Sequence, residues 1–363
     1  MKYTIEKAGP PAYLQLYQQL RADILKCAYG HGARLPSKRL LAEELHTSLS
    51  TIEHAYALLC EEGYVEARER SGFYVSFRAA DGFAASPSAS PRTPLPAASS
   101  QPPQSFPFSV LARAMRSVLS NYQERIMIKS PNCGCDALRT AIAQYLSRSR
   151  GISAAPAQIV IGSGAEYLYG LIVEMLGRER IYALEDPSYE KIERVYRAAG
   201  ANCDMLPLGA DGIDSAALAR TRASVLHITP YRSYPSGVSA SASKRHEYVR
   251  WAVQADRFLV EDDFESEFSV AGKPEETLYA ISGGKNVIYM NTFSRTISPS
   301  MRVGYMVLPA LLRPIYEDRV GFYSCTVPSF EQFVLAELIN NGDFERHINR
   351  IRRQKRRELT TNP

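Results

Sequence analysis

Apolar residues recur at helical spacing near the start of the chain. Between Tyr13 and Lys26 they fall at Leu14, Tyr17, Leu20, Ile24 and Leu25, one face of a period of about 3.6 residues. The run L-P-S-K-R-L-L-A-E-E-L follows, with Pro36 and Ser37 as a helix start and Leu40, Leu41 and Leu45 assigned to the inner face. Ser48 or Ser50 caps a third helix carrying Ile52, Ala55, Tyr56, Leu58 and Leu59, and Gly63 ends it. Y-V-E-A-R and G-F-Y-V-S then alternate like a hairpin around Glu69 to Ser71. Short helices followed by a hairpin predict a winged helix-turn-helix over residues 1–77. Residues 78–105 are a Pro/Ala/Ser-rich linker, whose prolines forbid regular structure and whose side chains offer little to bury. It is long enough for the flanking domains to take different relative positions, or for one to reach a partner subunit. Beyond it, I-V-I-G-S-G-A-E-Y-L-Y-G-L-I predicts a buried strand, a small-residue turn and a helix, so the amides at Ser163, Gly164 and Ala165 open a helix N-terminus able to hold phosphate. In F-L-V-E-D-D-F-E-S-E-F a hydrophobic run ends in carboxylates, the end at which open α/β sheets bind ligands.

Composition changes this picture little. At 363 residues, 45% hydrophobic and 22% charged, the chain reads as a soluble protein of two or more domains. No stretch approaches the roughly 20 apolar residues of a membrane span, and the N-terminus lacks the apolar run of a secretion signal, so a cytoplasmic protein without a membrane partner is expected. Cys27, Cys60, Cys133, Cys135, Cys203 and Cys325 read as free thiols without the paired spacing of a zinc site, and no metal is expected. The net charge of +5 has a local origin. From Glu345 to Pro363 seven basic residues face two acidic ones, which alone gives +5, and this tail reads as the solvated face of a helix. Residues 1–77 carry nine basic and nine acidic side chains. A protein bound to DNA mainly through phosphate neutralisation would show an excess.

The segment from Leu35 to Val75 resembles the DNA-binding domain of the GntR superfamily, and Phe106 to Arg357 resembles fold-type I aminotransferases. The pairing is the hallmark of MocR/GabR-type regulators. The resemblance implies an α+β winged helix-turn-helix followed, over residues 106–363, by an α/β fold-type I transferase-like large domain that serves as effector and dimerisation domain. In such a winged module Ser37, Lys38, Arg39, Ser48, Ser50, Thr51, Arg68, Arg70 and Gly72 take the positions that meet phosphates and bases. Leu49 stands where many members carry a contacting arginine, and it can meet a thymine methyl. Glu53 replaces another basic residue.

In the second domain the resemblance implies a pyridoxal 5'-phosphate site. Ser163, Gly164 and Ala165 cup the phosphate, Tyr189 stacks on the pyridine ring, and Asp262 pairs with the ring nitrogen. Thr292, Ser294 and Arg302 frame the phosphate, while Lys191 and Arg232 are candidate effector contacts, Arg232 and Ser233 standing where the family has a different polar pair. Two positions depart from the family. Phe264 replaces the tyrosine that donates to the phenolic oxygen, and Arg295 replaces the lysine that forms the Schiff base. That lysine acts only when deprotonated, whereas a guanidinium keeps its proton. The expectation is a homodimeric, head-to-tail regulator that binds a double-stranded DNA operator and senses pyridoxal phosphate or an amino-acid-related effector without covalent attachment. No residue is expected to be catalytic. The rivals are a working aminotransferase with a DNA-binding appendage and a non-functional truncated remnant. Family members continue past Pro363 into a C-terminal small domain, so apolar surface at Phe330, Phe333, Leu335 and Leu338 is expected to be exposed unless a partner chain covers it.

Overall fold

A computed structural model describes residues 3–6, 9–68, 71–78, 106–254, 256–264, 266–269 and 275–361. Arg70 of the expected wing and residues 79–105 of the expected linker lie outside these described residues. The chain forms two compact units, Met1–Ala97 and Ala98–Pro363.

In the first unit α1 (Ala12–Leu25), α2 (Lys38–Glu44) and α3 (Leu49–Glu61) precede a hairpin of β1 (Val65–Arg68) and β2 (Gly72–Val75). Ser37 and Ser48 are the N-caps of α2 and α3, each accepting from the backbone N–H three residues on at 3.2 Å. Leu16, Leu20, Ile24, Leu41, Ile52, Tyr56 and Leu59 form the core, closed by Val65 and Val75 of the hairpin. Tyr56 is fully buried and donates its hydroxyl to the Pro36 carbonyl at 2.8 Å, which ties α3 to the entry of α2. Leu40 departs from expectation. It is half exposed, because Leu41 takes the inward position on this short helix.

The second unit runs α4 (Phe108–Tyr122), α5 (Asp136–Arg150), β3 (Ile159–Gly162), α6 (Ala165–Leu176), β4 (Ile181–Asp186), α7 (Glu190–Ala198), β5 (Asn202–Gly209), β6 (Gly212–Ile213), α8 (Ser215–Arg220), β7 (Val225–Ile228), α9 (Ala242–Val253), β8 (Phe258–Asp262), α10 (Leu278–Ile281), β9 (Val287–Thr292), β10 (Gly304–Val307), α11 (Arg313–Arg319), α12 (Ser329–Asn340) and α13 (Asp343–Thr361). Its strands join in the order β3-β10-β9-β8-β7-β4-β5-β6. β10 is antiparallel to β3 and β9, β6 is antiparallel to β5, and the other neighbours are parallel. The central strands are buried on both faces, as expected of a parallel sheet with helices on either side. One apolar layer gathers α6, α7 and α11, and the other gathers α5, α9, α10 and α12. β8 divides its side chains between them, Phe258 and Val260 to the first and Leu259 to the second, with the period of two that a strand imposes.

The apolar residues of α12 are a second departure. Leu335 and Leu338 are fully buried, and Phe330 and Phe333 are partly buried against the same core. The chain covers them itself: α12 packs on α4, α5 and α13, and Phe333 stacks on Tyr122 with ring centroids 4.2 Å apart. α13 carries the basic tail, with Phe344, Ile348 and Ile351 buried on its inner face. Arg352 donates to the Glu267 carbonyl at 2.6 Å and Lys355 lies 5.0 Å from the Phe268 ring centroid, so part of the basic face is packed rather than solvated. All six cysteines are free thiols. No helix among the described residues is long and apolar enough to cross a membrane.

Candidate functional site

The sheet topology brings distant segments to one edge. β3, β4, β7, β8 and β9 run in one direction, so Gly162, Asp186, Ile228, Asp262 and Thr292 end on the same side, and antiparallel β10 starts there just after Arg302. Ser163–Ala165, Tyr189, Arg232, Asp262, Thr292, Ser294, Arg295 and Arg302 therefore all sit at or just beyond that edge. This is the place where open α/β sheets hold ligands.

Asp262 closes β8 with its side chain nearly buried. One carboxylate oxygen accepts the Tyr169 hydroxyl at 2.5 Å, and His227 Nε2 lies 3.7 Å from the same oxygen. Tyr196 shares a hydrogen bond of 2.8 Å with His227 Nδ1. These three side chains come from α6, β7 and α7; Tyr169 holds the carboxylate, and His227, held by Tyr196, packs behind it. Burial, followed by the charge of Asp262, pushes the Tyr169 phenol well above its ordinary range, so it stays a donor. Sequence reading missed Tyr169, Tyr196 and His227. The available signal was a histidine inside the apolar strand V-L-H-I.

The carboxylates flanking Asp262 point to the opposite layer. Glu261 accepts from the Tyr231 hydroxyl at 2.5 Å and from the Leu278 and Tyr279 amides at 2.9 Å, which caps α10. Asp263 is fully buried and pairs with Arg150 at 2.8 Å and with the Tyr289 hydroxyl. Burial lifts the Glu261 carboxyl to about 7. The polar pair expected near the effector also divides. Arg232 is exposed, whereas Ser233 is buried and donates to Glu185 at 2.8 Å, so only Arg232 faces outward.

At the turn expected to hold phosphate, Gly164 has φ 96° and is the N-cap of α6. A Cβ there would meet an Arg302 guanidinium nitrogen at 2.7 Å, so Arg302 lies directly against the turn. Arg302 is ion-paired with Glu166, in the first turn of α6, and Lys191 reaches the same carboxylate at 3.6 Å. Ser163 donates its amide to the Thr326 hydroxyl at 3.2 Å, and Ser294 donates to the Met301 carbonyl at 3.4 Å within its own loop. Thr292 ends β9 with its amide held by the Asn291 side chain at 2.6 Å. Tyr189 is exposed at the N-cap of α7 and meets Tyr234 edge-on, ring centroids 5.9 Å apart.

The two substituted positions face each other. The Arg295 guanidinium lies 5.9 Å from the Phe264 ring centroid, a cation over an aromatic face. The donor set fits a pyridine ring whose nitrogen meets Asp262 and whose anionic tail approaches Gly164 and Arg302. It does not fit covalent attachment at position 295, and Glu166 already occupies Arg302.

In the first unit the expected DNA-contacting residues cluster around α2, α3 and the hairpin. Ser48 Oγ contacts Ser50 Oγ at 2.9 Å and Thr51 Oγ1 at 2.8 Å. Leu49, Ser50 and Arg39 are exposed. Lys38 is ion-paired with Glu53 at 2.8 Å and lies 5.6 Å from the Phe73 ring centroid. Arg68 pairs with Glu66 and sits 4.4 Å from the Tyr74 ring centroid. Gly72 adopts φ 114° with Arg34 packed on its open side.

Comparison with known proteins joins the two halves. The family described as "Bacterial regulatory proteins, gntR family" matches residues 12–75, and "Aminotransferase class I and II" matches residues 98–362. The HTH-type transcriptional regulator YdeL of Bacillus subtilis (strain 168), itself uncharacterized, is 31% identical over 96% of this chain and 77% of its own length. The probable rhizopine catabolism regulatory protein MocR of Rhizobium meliloti is 31% identical over 95% of this chain and 75% of its own. Among solved structures, the alpha-aminoadipate aminotransferase LysN of Thermus thermophilus, complexed with N-(5'-phosphopyridoxyl)-L-leucine, superposes with a TM-score of 0.61 at 26% identity. That match covers 69% of this chain and 65% of the enzyme, so the chain spans just under two thirds of the enzyme's length. With a GntR-type winged helix-turn-helix ahead of a fold-type I aminotransferase-like domain, and with relatives of the same build along nearly its whole length, the chain belongs to the MocR/GabR-type HTH transcriptional regulators.

Proposed function

We propose that this regulator binds a double-stranded operator through its winged helix-turn-helix, as a head-to-tail homodimer in the cytoplasm, and that its second domain senses pyridoxal phosphate or a related amino-acid adduct without catalysing transamination. The observation that carries the reading is the contrast at the sheet edge. Asp262 is held by Tyr169 with His227 and Tyr196 behind it, while the position for covalent attachment carries Arg295. Bound pyridoxal phosphate would supply an aldehyde and a ring nitrogen that accepts a proton. Asp262 would hold that proton, Tyr189 would cover the ring, Gly164, Ala165 and Arg302 would receive the phosphate, and Lys191 and Arg232 would meet the effector's acidic group. Differential binding to two domain arrangements would then change affinity for DNA. Ser37, Lys38, Arg39, Ser48, Leu49, Ser50, Thr51, Arg68, Arg70 and Gly72 are the proposed DNA-facing set.

Absorption titration of the full chain with pyridoxal phosphate, followed by borohydride trapping and mass analysis beside Arg295→Lys, tests the reading. The expected result is saturable binding with no adduct at position 295 in the native chain and an adduct there in the variant. A trapped adduct on another lysine of the native chain, together with amino-donor-dependent turnover, returns the protein to the aminotransferases.

A further inference from the structure

Glu166 pairs with the arginine that lies against the Gly164 turn. Its carboxylate sits in the first turn of α6, accepts from Arg302 and lies 3.6 Å from Lys191. An acidic residue in a first helical turn ordinarily only complements the helix dipole. Here it also draws onto itself the arginine that rests against the Gly164 turn. The guanidinium that would grip an incoming phosphate is thus engaged by an internal anion, while the Ser163 amide is held by Thr326 and the Gly164 amide by the Gly162 carbonyl.

We propose that Glu166 is a specificity-determining residue, a built-in counter-anion that a phosphate-bearing ligand must displace from Arg302 before it can enter. This rests on the reading of the Gly164 turn as an anion site. With Arg302 and Lys191 positive and Glu166 negative, the cup retains one net positive charge for a group that carries about −1.5 to −2. The carboxylate does not yield by taking up a proton at neutral pH, because Arg302 and Lys191 together with its own amide hold its pKa below the usual range against the opposing effect of burial. It yields only by swinging away, and Arg302 then leaves it beside a second anion. The consequence is a sensor that ignores low concentrations of phosphorylated ligand and responds only when they are plentiful. The same pairing leaves unphosphorylated pyridine ligands unaffected.

Calorimetric titration of the full chain with pyridoxal phosphate, pyridoxal and inorganic phosphate, for the native protein, Glu166→Gln and Glu166→Ala, tests this. Both variants are expected to bind pyridoxal phosphate and inorganic phosphate at least about 10-fold more tightly, with pyridoxal unchanged within about 2-fold. Equal or weaker binding of both phosphate ligands in folded variants overturns the inference and leaves the sensor reading standing. A gain for inorganic phosphate without binding of either pyridine ligand upholds the role of Glu166 and overturns the sensor reading.

Discussion

Lys38 and Arg302 belong to different units, yet each has a carboxylate of its own unit on the nitrogen that a phosphate would need. Lys38 pairs with Glu53 across α2 and α3, both side chains substantially exposed, and the pair sums to zero. Arg302 pairs with Glu166 beside a helix N-terminus and with Lys191 close by, so one positive charge remains. Both pairs are exposed and screened, so neither contributes much to stability, and they differ in the charge left over. A carboxylate flanked by two cations at a helix terminus would compete with an anionic ligand for Arg302. The pair on the proposed DNA-facing surface therefore sums to zero, whereas the proposed effector site keeps one positive charge beside its internal anion.

The largest effect should come from removing the cation at the cup. Arg302→Ala takes away the bidentate partner and leaves Glu166 with Lys191 alone, and should weaken pyridoxal phosphate binding about 100-fold while pyridoxal changes little. Equal losses for both ligands would show that Arg302 supports the fold rather than the phosphate.

Next comes a carboxylate with no cation paired to it among the described residues. Glu185 is buried, accepts from the Ser233 hydroxyl and the Thr229 amide, and burial pushes its carboxyl from 4.5 to about 7. The folded chain thus keeps a proton that the unfolded chain releases between about pH 4.5 and pH 7. Its contribution is intact below pH 4.5 and is lost as pH rises through 7. Glu185→Gln should remove that loss, raising stability at pH 8 relative to pH 5 by on the order of 2 kcal/mol against the native chain in paired melts. An unchanged pH dependence would mean that Glu185 is already ionised in the fold.

Smaller effects belong to the exposed partners. Freeing Lys38 by Glu53→Gln should tighten operator binding about 3-fold and steepen the dependence on salt by about one phosphate contact, measured by fluorescence anisotropy across salt concentrations. A flat salt response would remove Lys38 from the DNA surface. Lys191→Ala, which loses a long contact at 3.6 Å, should weaken pyridoxal phosphate by only about 2-fold in the same calorimetric assay.

Much of the fold was legible because its signals are local. The strand, turn and helix around Gly164, the caps at Ser37 and Ser48, and the carboxylates ending β8 all follow from residues within a few positions of one another. What depends on tertiary neighbours was not legible. Leu41 rather than Leu40 faces inward, and Leu335 and Leu338 find cover from α4, α5 and α13 of the same chain. Tyr169, Tyr196 and His227 converge behind Asp262 from separate elements, so no short window of sequence contains them. Glu166 reads as an ordinary first-turn acid until Arg302, far along the chain, is seen on top of it.

The alternation at the end of β8 restricts how this site can change. Three successive carboxylates serve alternate faces: Glu261 and Asp263 anchor the layer of α5 and α10, and Asp262 alone turns toward Tyr169 and the proposed ligand site. Substitution at position 262 alters one role. Inserting or deleting a single codon in this strand would exchange all three at once, exposing a structural acid to the proposed ligand site and turning Asp262 into the core. The proposed effector site can therefore be retuned residue by residue, but the register of β8 is fixed by the architecture that surrounds it.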